Sequence, residues 1–187
     1  MNLFILNRDP IIAAQDQCDK HVVKMIIEYA QLMSTAHRVL DGDPYEGKTA
    51  NGRRIARWRH PIEKMENTLY KASHIKHPSN LWVRASQNHY NWLYEMWTHL
   101  CDEYTHRYGK IHLTDKKLRK MLSSAPMQID VEPYVDPYLA MPDDVKQTNV
   151  VEAYKNYYIN YKKDFAKWTK RPTPEFMSFE THAGYAS

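Results

Sequence analysis

The chain has only two cysteines, Cys18 and Cys101, and no CxxC pair. That excludes a disulfide framework and the common zinc ribbons; both thiols sit in helical apolar patterns and read as reduced core residues. Only five glycines occur in 187 residues, with no Walker loop, GxGxxG, GxSxG or kinase motif. Chemistry that needs a glycine-rich phosphate cradle or a nucleophile elbow is therefore not expected. No apolar run approaches the roughly 18 residues of a membrane span, and no secretory leader is expected at the N-terminus. Regularly alternating strands are missing as well, which argues against a β or doubly wound fold.

What is present is helical. Leu3-Phe4-Ile5-Leu6 is a short apolar segment, and Asp9 with Pro10 makes a good helix start. Apolar periodicity then predicts one long helix from Ile11 to Leu40, stopped by Asp41-Gly42-Asp43-Pro44. A second runs from Leu81 to Tyr108 with Gly109 as its cap, and a third from Asn149 to Trp168. Short helices are expected over Pro61–Ala72 and Thr114–Leu122; Tyr45–Arg59 and the proline-rich stretch Ser123–Asp144 read as loops. The expectation is a single all-α domain over residues 1–170, with about three long and two or three short helices and a short extended N-terminal segment. Residues 171–187 read as a proline-containing tail.

Two polar lines stand out on these helices. Gln17, His21, Lys24, Glu28, Gln31 and Thr35 are spaced by three and four residues, so they share one narrow stripe of an otherwise apolar helix. Arg84, Asn88, Asn91, Glu95, Thr98, Asp102 and His106 form a matching stripe on the next long helix. Packed side by side, the two stripes would line one polar cleft; apart, each is a solvated face. In the cleft reading, Asp19 or Glu28 works with His21 in proton transfer. Lys24, Arg84, Asn88, His106 and Arg107 hold phosphate or substrate. Asp19 lies on the apolar side of its helix and needs a buried partner, either structural or functional.

Charge is uneven. Lys48–Lys76 carries eight Lys/Arg against two acids, His106–Lys120 six against one, and Lys155–Arg171 six against one, while Asp130–Glu152 is acidic. Separated basic blocks with aromatics between them suit an anionic partner. The densest is Arg53-Arg54-Ile55-Ala56-Arg57-Trp58-Arg59, where Arg53, Arg54 and Arg57 can clamp phosphates and Trp58 can stack on a base. No histidine pair matches a local metal motif, so neither a metal nor another cofactor is expected from sequence; a metal built from distant residues stays open. The oligomeric state is not legible.

Asn2-Leu3-Phe4, Asp9-Pro10, Cys18-Asp19-Lys20-His21-Val22-Val23-Lys24-Met25, Ser34-Thr35-Ala36-His37-Arg38, His77-Pro78 with Trp82-Val83-Arg84, and Tyr104-Thr105-His106-Arg107-Tyr108-Gly109-Lys110 together resemble a family of small proteins from tailed bacteriophages. Ala140-Met141-Pro142 and Tyr154-Lys155-Asn156-Tyr157-Tyr158 extend the resemblance over nearly the whole chain. It implies a phage setting, in the cytoplasm of an infected bacterium, where small enzymes act on DNA, nucleotides or defence signals. Combined with the site residues, the expectation is an enzyme acting on nucleic acid or a nucleotide, at a base or glycosidic centre. The rivals are a non-catalytic binder of nucleic acid or a nucleotide signal, and a structural interaction protein.

Overall fold

Residues 1–178 are described, in a computed structural model. They form eight α-helices: α1 (Pro10–Asp16), α2 (Asp19–Asp41), α3 (Glu63–Thr68), α4 (Pro78–Ala85), α5 (Gln87–Tyr108), α6 (Leu113–Leu118), α7 (Val150–Tyr161) and α8 (Glu175–Ser178). Between α2 and α3 the chain makes an antiparallel pair of strands, β1 (Asp43–Lys48) and β2 (Arg54–Arg59). The all-α expectation is thereby corrected in two respects. A β-ribbon replaces the loop read at Tyr45–Arg59, and the helices are more numerous and shorter.

Each correction has a physical source. Asn51-Gly52 sits between the strands with Gly52 at φ +81°, and Thr49 exchanges backbone bonds with Arg53 and Gly52 across the turn. Asn-Gly between β-forming residues is a hairpin signal, weakened here by the arginines around it. The first long helix breaks after Asp16 because Gln17 and Cys18 turn extended. The carbonyls released at that break are taken by distant donors: Arg107 bonds those of Gln15 and Gln17, and Trp168 Nε1 that of Asp16. The Leu81–Tyr108 helix breaks at Ser86, whose hydroxyl caps Asn88 N–H and donates to the Glu132 carbonyl.

α2 is the axis of the core. Its Val22, Met25, Ile26, Tyr29, Leu32 and Met33 are buried; α4, α5 and α6 pack around it, and α1 packs on α5. The extended lead-in Leu3–Leu6 is fully enclosed, with Phe4 N–H bonded to Tyr29 OH. Burying four such side chains contributes on the order of 1.5–3 kcal/mol each. Trp97 of α5 donates its indole N–H to the Ile26 carbonyl, fixing the α2–α5 register. Among the described residues no helix is long and apolar enough to cross a membrane.

Candidate functional site

The stripe on α2 is solvated only in its middle. Gln17, His21 and Thr35 are buried, Lys24 is exposed, and Glu28 and Gln31 are half-buried. His21 packs face to face on Phe4, with ring centroids 4.1 Å apart, and its Nδ1 lies 2.5 Å from Tyr158 OH. Burial, reinforced by Lys162, Lys24 and Lys20, pushes its pKa down to about 3, so the ring is neutral. Lys24 and Glu28 make an i,i+4 pair at 3.7 Å. Asp19 accepts from Arg107 Nη1 at 3.0 Å, from Thr169 N–H at 2.9 Å and from Thr169 Oγ1 at 2.7 Å. Partial burial raises its pKa, but these bonds outweigh it and hold the carboxyl below its usual range.

Arg107 makes four hydrogen bonds. Besides Asp19 and two carbonyls it bonds Glu103, which in turn takes both ends of the Arg171 guanidinium. The result is a buried ion-pair network that joins the α1–α2 junction, α5 and the segment after α7. Of the site candidates on the second stripe, His106 lies beside this network, while Arg84 and Asn88 point elsewhere. Arg84 donates to the Ile75 carbonyl, Asn88 to the Glu132 carbonyl, and His106 approaches the Lys170 carbonyl. The two stripes do not line a common cleft: His21 faces Tyr158 of α7, while Arg84 and Asn88 sit against the 73–76 and 130–135 segments.

The basic ribbon is a different matter. Arg53 and Arg54 are exposed at its tip, with Lys48 paired in register to Arg54. Arg57 is half-buried and donates to the Ala72 carbonyl; Trp58 is half-buried opposite Pro44. Two-stranded ribbons alone are marginal, and this one is held at its root by Arg38. That guanidinium is buried and uses every N–H: to the carbonyls of Trp58, Glu66, Leu69 and Tyr70 and to the Glu66 carboxylate at 2.5 Å. Gly42 sits where α2 meets β2; a Cβ there would collide with the Arg38 carbonyl and come within 2.9 Å of that of Arg59.

Beside this clamp lies a cluster that the sequence reading did not single out. His37 and Asp41 are one turn apart on α2, and His60 follows β2 directly. One donor atom from each lies within 4.8 Å of the others, the one three-residue group among the described residues able to offer a metal that many ligands. All three side chains are buried. His37 Nε2 is 2.9 Å from Tyr90 OH, whose proton goes to the Leu122 carbonyl. Asp41 accepts the Met127 and Gln128 amides at 2.9 Å each, so the 124–128 segment closes over the cluster. His60 Nδ1 accepts the Ile62 N–H at 3.1 Å. His37 Nδ1 and His60 Nε2 are buried without a partner. Burial lowers both imidazole pKa values, His37 to about 4, against the opposing pull of Asp41. Two orphaned ring nitrogens beside a carboxylate make this a potential catalytic or binding site. His37-x-x-x-Asp41 was legible as an i,i+4 pair, but nothing local pointed to His60. Comparison with protein-family models, with curated proteins and with solved structures gives no match.

Proposed function

We propose that this protein binds double-stranded DNA through the β1–β2 ribbon. The observation that carries the reading is a projecting antiparallel ribbon with five Lys/Arg against two acids between Asp43 and Arg59, its Lys48, Arg53, Arg54 and Arg59 exposed. A two-stranded ribbon fits the roughly 12 Å major groove of B-DNA, whereas the deep, narrow groove of A-form RNA does not admit one. Exposed arginines at the tip suit phosphate contacts. The resemblance to bacteriophage proteins favours the same ligand. Base or glycosidic chemistry has less support, because Asp19, His21 and Arg107 are spent on structural bonds.

Fluorescence anisotropy with duplex DNA, single-stranded DNA and duplex RNA, between about 50 and 200 mM salt, tests it. Duplex DNA is expected to bind tightest, and Arg53→Ala with Arg54→Ala to reduce the salt slope by about 1 per lost phosphate contact. Absence of binding at low salt, or an unchanged slope in the double variant, refutes the ribbon reading. Mass spectrometry of the recovered DNA checks the enzymatic rival, which requires a covalent change.

A further inference from the structure

We propose that the His37–Asp41–His60 cluster binds one water molecule, in preference to a divalent transition metal, and that this water latches the root of the ribbon to α2.

The donor pattern points first to water. A carbonyl only accepts, so the Tyr90 proton goes to Leu122 and His37 Nε2 donates to Tyr90 OH. That leaves a lone pair on His37 Nδ1. His60 is the opposite case. Its Nδ1 accepts the Ile62 N–H, so in the neutral ring the proton sits on Nε2, which faces Asp41 Oδ2 at 4.0 Å. The cluster therefore presents an imidazole acceptor, a carboxylate acceptor and an imidazole donor. Water satisfies all three at once, giving its two protons to His37 and Asp41 and accepting from His60. A metal needs three lone pairs, and His60 can supply one through Nε2 only by moving its proton to Nδ1, against the Ile62 N–H.

Spacing is neutral. Around a tetrahedral zinc, with bonds of about 2.0–2.1 Å, neighbouring ligand atoms stand about 3.4 Å apart. Around a water with bonds of about 2.8 Å they stand about 4.6 Å apart. The Nε2–Oδ2 separation of 4.0 Å falls midway between the two values, so the donor pattern and not the spacing selects water. The geometry also explains why these residues flank the ribbon. Asp41 precedes β1, His60 follows β2, and a shared water joins both ends to His37 in the helix. The Ser124 carbonyl lies near the His37 ring as well, offering an alternative partner if Nδ1 carried the proton.

The test uses the intact chain at neutral pH. Long-range proton–nitrogen correlation spectra assign both tautomers, and a water-selective Overhauser experiment looks for a long-lived water at the His60 Nε2 proton. Both are repeated after adding one equivalent of Zn²⁺. Expected are Nε2–H on both rings, a water cross-peak to His60, and no change at these signals with zinc. An Nδ1–H tautomer on either ring, no water cross-peak, or loss of the His60 Nε2 proton on zinc addition overturns the proposal.

Discussion

The two ends of α2 carry similar residues put to different use. At its start, Asp19 and His21 face Arg107, Thr169 and Tyr158; at its finish, His37 and Asp41 face Tyr90, His60 and the Met127 and Gln128 amides. At the first end the charged groups are paired, and only the amide oxygen of neighbouring Gln17 is left over. Asp19 accepts three bonds, and Arg107 makes four, to two carboxylates and two carbonyls. At the second, two buried ring nitrogens are left over. A helix end whose charged groups pair with one another is a structural joint. One that leaves convergent polar atoms in a closed space has the makings of a site, because buried polar groups are otherwise paired.

The largest effects compare the two arginine clamps. Arg107→Ala leaves buried Glu103 with Arg171 alone and Asp19 with Thr169 alone, and Arg38→Ala strands four carbonyls and takes the guanidinium from Glu66. Removing one partner of a buried pair costs about 3–5 kcal/mol, and chemical denaturation of each variant measures it. Arg38→Ala is expected in addition to weaken DNA binding, because it frees the ribbon root; Arg107→Ala, among the variants that remain folded, is not. Equal loss of binding in both would erase the contrast between the ends.

Acid sharpens the comparison next. His21 stays neutral down to about pH 3 and His37 to about pH 4, whereas an unfolded histidine takes up its proton near 6.5. The unfolded chain therefore binds more protons in that window, and stability falls as pH drops. The full contribution is present above about 6.5 and is lost progressively through the folded values. For His37 this amounts to about 3 kcal/mol, taking ~1.4 kcal/mol per pH unit. Unfolding free energy measured against pH in His37→Gln is expected to lose slope between about pH 6.5 and 4, and in His21→Gln down to about pH 3. A parent protein whose stability is flat from pH 7 to 4 contradicts the buried neutral imidazoles.

The smallest effect concerns the exposed middle of the same helix. Lys24→Ala removes an i,i+4 pair at 3.7 Å from an exposed ammonium, so denaturation is expected to shift by only about 0.3–0.5 kcal/mol. A loss several times larger would mean that Lys24 does more than pair with Glu28.

Much of this molecule was legible locally. Asp9-Pro10 starts α1 as its residues require, Asn149 caps α7, and Gly109 closes α5 in the left-handed region. The narrow stripe from Gln17 to Thr35 announced a largely enclosed helix, and α2 is the core axis. The ribbon was less legible, since Asn51-Gly52 competed with an arginine-rich composition that reads as loop. The site was least legible. Spacing set His21, Lys24 and Glu28 on one line but could not say that Tyr158 and Phe4 would cover the first while water reached the second.

The sequence alone determined periodicity, caps, charge blocks and the absence of glycine-rich catalytic motifs, because each depends on residues within a few positions of one another. Tertiary structure decided the rest. Arg107 reaches Gln15, Gln17 and Asp19 from far along the chain, splitting one expected helix into two, and His60 meets His37 and Asp41 only after the ribbon folds back. Hydrogen bonds and desolvation act through space, so which polar groups are satisfied and which are left over is fixed only when distant segments close on each other.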